Sequence, residues 1–442
     1  MLPLYSKNPL LYSQFMTNPR VFLNKKEEEE ILQGFPWVFD NEISYFKIFD
    51  EKKQTYLNYN LSEKKGAGGG CTLSDIPVED GSVVEVFSKA GGFLGSGIIN
   101  KKSKITVRFL TSEHSDELIN NPQAFFEKRI LQAWNLRQLD FSEKDSFRLV
   151  YGEADFIPGF ICEYFYAQKR ILVVQFLALA CEKYREEILK ALKKITKADA
   201  IFERSDSSAR EKEGLPLVCD WIFGKAETDI TICENNVKLT VDIKNGQKTG
   251  YFLDQKFNRK RVAQFCKDKT VLDTFTHTGA FGLNAFLAGA KEVTSVDISD
   301  SAIATVNKNI ELNNAGKVVK AVEADVFDLL KQYENEGRKF DVIILDPPAF
   351  TKSAKMIEKA YGGYKEINLR AMRLLNEDGI LVTCSCSSFM TPEMFCDMIM
   401  HAACDSHKKV QIIEKRGAGS DHPVLCGYPK SEYLKCVICR VI

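Results

Sequence analysis

From Val237 onward the chain alternates short apolar runs with segments of helical spacing, and this rhythm restricts its fold more than any other feature. Val271-Leu272-Asp273 ends a predicted strand, and Gly279 to Ala288 starts a helix rich in small residues. Glu292 to Asp297 is the next strand and Ser301 to Leu312 the next helix. Phe340 to Asp346, Tyr364 to Leu375 and Gly379 to Ser385 then read strand, helix, strand. Alternation of this kind builds an α/β layer: a parallel sheet with helices on both faces. Ligands of such sheets bind outside the carboxyl ends of the strands. Asp273, Asp297, Asp325 and Asp346 all fall at predicted strand ends or just beyond them.

The preceding half of the chain has a different texture. Residues 19 to 112 hold strand-like runs at Val83 to Phe87, Phe93 to Ile99 and Ile105 to Leu110, punctuated by Gly81, Gly91-Gly92, Gly95 and Gly97. Many short strands must hide their edges, so a small β-barrel is expected. Gly66 to Gly70, preceded by Lys64-Lys65, reads as a flexible loop. Residues 122 to 236 form a central α+β module. It has a helix over Phe125 to Leu136, strands over Arg148 to Cys162 and Arg170 to Phe176, and an amphipathic helix over Glu182 to Ile195. Residues 237 to 442 are the third part.

Composition excludes little but directs the search. A chain of 442 residues with 45% hydrophobic and 27% charged residues is an ordinary globular sequence. Its net charge is zero, so binding to nucleic acid has to rest on a local patch. Lys101-Lys102-Ser103-Lys104 with Arg108 is one small candidate, and a solvated strand edge is the alternative. Thirteen cysteines without framework spacing, no long apolar run and no signal-like start point to a reducing, cytoplasmic compartment and to no membrane partner. Cys436 and Cys439 form a lone C-x-x-C in a strand-like run and read as packing; no metal is expected.

Asp273 to Gly279, Asp-Thr-Phe-Thr-His-Thr-Gly, places glycine between a strand and a helix, where backbone can approach a ligand closely. It is not G-x-G-x-x-G, and nothing marks a pyrophosphate site. Asp297, 24 residues after Asp273, is placed to accept both ribose hydroxyls of a nucleoside, and Asp325 to reach an adenine amino group. In Asp346-Pro347-Pro348-Ala349-Phe350 two prolines fix the backbone, nearby carbonyls can accept from a substrate amine, and Phe350 offers a stacking face. Ser385-Cys386-Ser387 puts a thiol at the end of a later strand. A thiol matters because carbon 5 of a pyrimidine is a poor nucleophile; a thiolate added at carbon 6 turns it into an enamine.

The run GQKTGYFLDQKFNR from Gly246, with LDTFTHTGAF, SVDIS, EADVFD, LDPPAF and SCS, resembles class I S-adenosylmethionine (SAM)-dependent RNA methyltransferases. The similarity is greatest to the bacterial large-subunit rRNA 5-methylcytosine family with an N-terminal PUA domain. Gly34 to Phe39 resembles the PUA start, and Glu153-Ala154-Asp155, Pro158-Gly159 and Glu203 to Asp206 resemble the central module. The resemblance implies a Rossmann-like class I sheet preceded by a PUA barrel, with SAM as cofactor and rRNA as partner. It implies that Thr249, Gly250, Tyr251, Asp254 and Gln255 flank SAM, and that Asp273, Phe275, Thr278, Gly279 and Phe281 form its loop. Asp297 would hold the ribose, Asp325 the adenine end, and Asp346 with Pro347 would border the cofactor. Asp346 would also face ring nitrogen 3 of cytosine, Pro348 and Phe350 would touch substrate, and Cys386 would be the nucleophile.

Two departures stand out. The second cysteine that many such enzymes carry in Asp-x-Pro-Cys is replaced by Ala349, so product release needs another base or water. Cys384 lies two residues before Cys386, on the same face of a strand, and is read as packing. No activating cation is identified; Lys352 and Lys365 are near in sequence only. His277 is given no catalytic role. A guanine N2 enzyme, a 5-methyluridine enzyme and an RNA-binding protein without catalysis remain alternatives, and the oligomeric state is open, a homodimer included.

Overall fold

The computed structural model describes residues 17–61, 70–351 and 353–442. Lys64, Lys65, the expected Gly-rich loop up to Gly69, and Lys352 lie outside the described residues.

Alternating apolar residues roll the first seven strands around one core. The sheet runs Trp37–Phe39, Ile105–Thr111, Phe93–Ile99, Val83–Phe87, Arg20–Leu23, Ile43–Asp50, Thr55–Asn60. Val38 and Val107 from one end meet Phe46 and Tyr59 from the other in a shared cluster. The ladder itself is open, because no pairing joins its two terminal strands among the described residues. The expected barrel is thus closed by side-chain packing rather than by hydrogen bonds.

The central module is a five-stranded sheet covered by helices Pro122–Arg137 and Arg185–Thr196. Two expected elements are broken. The strand reading of Arg148 to Cys162 is interrupted by a 3-10 turn, Gly152–Asp155, because Asp155 turns inward to a buried ion pair with Arg137 at 2.5 Å. The single helix expected from Glu182 is two, Leu179–Glu182 and Arg185–Thr196, since Tyr184 leaves helical geometry to pack against Phe126. Half of the candidate basic patch is engaged internally, while Lys102 and Lys104 are exposed. Arg108 pairs with Glu153 and Glu213, and Lys101 donates to the Ile76 carbonyl.

A hairpin, Asp229–Glu234 with Val237–Asp242, spans the boundary expected at 236 and leads into the last sheet. In spatial order that sheet is Val319–Glu323, Glu292–Asp297, Thr270–Thr274, Phe340–Leu345, Leu375–Ser385, Lys435–Val441, Val410–Arg416. The first five strands are parallel, and Lys435–Val441 runs antiparallel to both its neighbours, Leu375–Ser385 and Val410–Arg416. Chain order reverses between Thr270–Thr274 and Phe340–Leu345, the switch point at which such sheets open a crevice. The helix before Leu375 begins at Ile357, earlier than predicted, and its strand starts at Leu375 rather than Gly379. Cys436 and Cys439 are buried on opposite faces of one strand, Cys436 beside Ile438 and Cys439 beside Val441, so they cannot share a ligand. No helix among the described residues is long and apolar enough to cross a membrane.

Candidate active site

Asp273 lies within its strand, fully buried. One carboxylate oxygen accepts from the Thr276 hydroxyl, the Gly282 N–H at 2.9 Å and Ser295. The other has no partner. Burial, the larger influence, outweighs these bonds and pushes the carboxyl up to about 6. The loop that follows is strongly bent: Phe275, His277 and Gly279 all have positive φ, at 55°, 54° and 79°. Only the last is a glycine, and a Cβ there would lie 3.1 Å from Val306. Holding Phe275 and His277 in this region stores strain, as binding loops often do. Asp297 fixes the loop by accepting from His277 N–H and Ser299 N–H. His277 is packed against Phe252, and burial lowers its imidazole to about 4. It is therefore neutral near pH 7, in keeping with a packing role.

An orphaned buried acid, a glycine-bearing bent loop and a second acid at the next strand end suit a cationic nucleoside cofactor such as SAM. Asp325, expected at the adenine end, caps the helix Val326–Asn335 through Phe327 N–H and Asp328 N–H. Its carboxylate oxygen Oδ1 makes both bonds. Thr278 and Phe281 are buried in the loop and the helix after it.

Thr249 and Tyr251 turn inward, their hydroxyls donating to Glu163 and Glu234 at 3.0 Å. Their contribution is to the course of the chain, with Gly250 at φ +107° passing so close to the Asp242 carbonyl that a Cβ would lie 2.6 Å from it. Gln255 reaches across and donates to Asp346 at 3.0 Å. Asp346, first residue after its strand, is pushed up to about 7 by burial and then by the charge of Asp254, against the opposing pull of Arg259. Pro347 is buried and Pro348 exposed. Phe350 is half-buried against Tyr364, 4.5 Å between ring centres, so much of its stacking face is taken up.

Cys386 is the first residue beyond the neighbouring strand Leu375–Ser385. Tyr364 holds that strand end by accepting from the Ser385 hydroxyl at 3.0 Å. Cys384 lies inside the strand opposite Cys436 and is fully buried. The thiol of Cys386 is pushed up by burial; Lys248 lowers it and Asp346 and Asp254 raise it further. The expectation that the surroundings favour thiolate is not met by the protein groups alone, because burial with the nearby acids outweighs the pull of Lys248. Lys365 is not the cation sought, being paired with Asp405 at 2.6 Å.

The groups that sequence reasoning missed are Lys248, Tyr433 and Lys435. Lys435 is opposite Ser385 in the antiparallel ladder, and its ammonium donates to the Ser387 carbonyl at 2.6 Å and the Tyr433 carbonyl at 2.7 Å. It thereby brackets the Cys386 turn, and burial lowers it to about 8. Lys248 was visible inside GQKTGYF; Tyr433 and Lys435 carry no local signal. Beside Lys248 and Tyr433 opens a cavity of about 460 Å³, bordered by Arg148, Tyr151, Gln175 and Arg204 of the central module.

Residues 166–424 match the family described as S-adenosylmethionine-dependent methyltransferase, and residues 72–112 match a PUA-like domain. Ribosomal RNA large subunit methyltransferase I of Klebsiella pneumoniae is 35% identical over 428 residues, 96% of this chain and 98% of its own. The protein of that name from Tolumonas auensis is 36% identical over 427 residues, 96% and 99%. A solved Streptococcus mutans chain described as a SAM-dependent methyltransferase superposes with a TM-score of 0.74 at 21% identity, covering 95% of this chain and 99% of its own. A second solved methyltransferase, complexed with SAH, gives 0.74 at 20% identity with the same coverage.

Proposed function

The chain belongs to the S-adenosylmethionine-dependent methyltransferase family, and on that premise we propose that it methylates carbon 5 of a cytosine in large-subunit ribosomal RNA through a covalent adduct with Cys386. The observation that carries this reading is the placement of Cys386 and Asp346 just past the ends of two adjacent parallel strands, next to the switch-point crevice. Asp273 and Asp297 would hold the cofactor, which supplies the methyl group that carbon 5 takes up.

The Cys386 sulfur adds to carbon 6 of the ring. Asp346, protonated near neutral pH, donates to ring nitrogen 3 and stabilises the charge that grows there. Lys248 and Lys435 are the ammonium groups that favour sulfur as thiolate. Removal of the carbon 5 proton then expels Cys386. The RNA strand would approach along the cavity bordered by Arg148 and Arg204.

The test is methyl transfer from labelled SAM into large-subunit rRNA by wild type and Cys386→Ser, with nucleoside analysis. Labelled 5-methylcytosine that disappears in the variant is expected. Label on a guanine amine, indifferent to the substitution, would refute the covalent reading and move the enzyme to the amine-methylating class.

A further inference from the structure

Ala349 stands where related chemistry uses a second cysteine, so the carbon 5 proton needs another acceptor. The acceptor must lie beside the thiol, because the departing hydrogen and the sulfur sit on adjacent ring carbons. Among the groups facing Cys386, Asp346 is already engaged by Gln255 and holds its own proton. Lys248 and Lys435 are cations.

Asp254 is different. It lies on the 3-10 turn Leu253–Gln255, immediately before the residue that grips Asp346. It is 5% exposed, and its charge reaches both Cys386 and Asp346. Its Oδ2 accepts from the Tyr433 hydroxyl, while Oδ1 is buried without any partner. An unpartnered buried carboxylate oxygen costs the fold stability, so its retention calls for an explanation. Its backbone carbonyl is anchored by Gly419 N–H at 2.8 Å, which fixes the direction of the side chain.

We propose that Asp254, rather than flanking the cofactor, is the general base that takes the carbon 5 proton, with Tyr433 as its positioning residue. The proposal rests on the cytosine reading above. In the step, the Asp254 carboxylate takes the proton and the carbon 5–hydrogen electron pair becomes the carbon 5–carbon 6 double bond. The carbon 6–sulfur bond breaks and its pair returns to Cys386 as thiolate. No further reactant is needed. The ordinary environment of the two acids is split in the way such chemistry requires: neighbouring Lys248 and His422 hold Asp254 ionised against its burial, while Asp346 stays protonated.

The experiment uses the full chain with an in vitro large-subunit rRNA transcript, SAM labelled in its methyl group, and denaturing electrophoresis. Asp254→Asn should accumulate a labelled protein–RNA adduct, at least tenfold over wild type, because methylation proceeds and release stalls. Tyr433→Phe should accumulate less adduct than that but more than wild type. Retained SAM affinity shows that each variant is folded. Loss of SAM affinity in Asp254→Asn without any adduct in either variant would overturn the proposal and return Asp254 to the cofactor site. A parallel transcript containing 5-fluorocytidine, whose fluorine cannot leave as a proton does, should trap the wild type. Absence of that trap sinks the cytosine adduct itself, whereas its presence together with no adduct in Asp254→Asn sinks only the role of Asp254.

Discussion

Asp346 is a carboxyl that the fold keeps protonated, and replacing it with asparagine tests that statement. Its pKa rises from 3.8 to about 7, so the native state binds a proton that the unfolded chain gives up between these values. The stability this contributes is fully present below about pH 4 and is lost as pH rises through about 7. At about 1.4 kcal/mol per pH unit the full effect is about 4 kcal/mol. Asp346 is only partly covered by protein, so water relieves part of the cost, and about 2 kcal/mol is the expected difference. Asp346→Asn keeps an acceptor for Gln255 and removes the ionisation. Urea unfolding of both proteins at pH 4.5, 6 and 8 should show near-equal stability at the lowest pH and a variant more stable by about 2 kcal/mol at the highest. Methyl transfer by the variant should be lost at every pH. Asp273, raised to about 6, leaves a residual slope in both proteins over the lower part of the range. A stability difference that is the same at pH 4.5 and pH 8 would mean that packing, not the proton, separates the two proteins, and the reasoning would fail.

Three further outcomes are expected. Cys384→Ala should cost about 1 kcal/mol of stability through a small cavity and still form the RNA adduct, unlike Cys386→Ala. Gly282→Ala would put a methyl 2.4 Å from the Ser295 hydroxyl and 3.1 Å from Asp273, so calorimetry should show SAM affinity reduced at least tenfold. Arg137→Ala strands Asp155 and two carbonyls, those of Arg148 and Asp421, and should lower stability by about 3–5 kcal/mol in urea unfolding; a loss under 1 kcal/mol would contradict the buried pair.

Local signals carried the catalytic sheet well. Glu292 to Asp297 is the strand read from its residues, and the acids at Asp273, Asp297 and Asp346 sit in or just past strand ends, because periodicity and glycine placement act over a few residues. The breaks at Gly152 and Tyr184 were invisible: each is imposed by a partner far from the turn it causes, Arg137 in one case and Phe126 in the other.

By itself the sequence determined the α/β alternation, the glycine-bearing loop after Asp273 and the thiol that follows a strand, since residue types and spacing decide these. Only the tertiary structure decided what surrounds that thiol. Lys435 and Tyr433 come from an antiparallel strand and its approach near the end of the chain, Lys248 and Asp254 from a segment more than a hundred residues earlier, and they meet Cys386 because the sheet brings their elements together. The charge of a site depends on burial and on distances across the fold. Neither is written in any local run of residues.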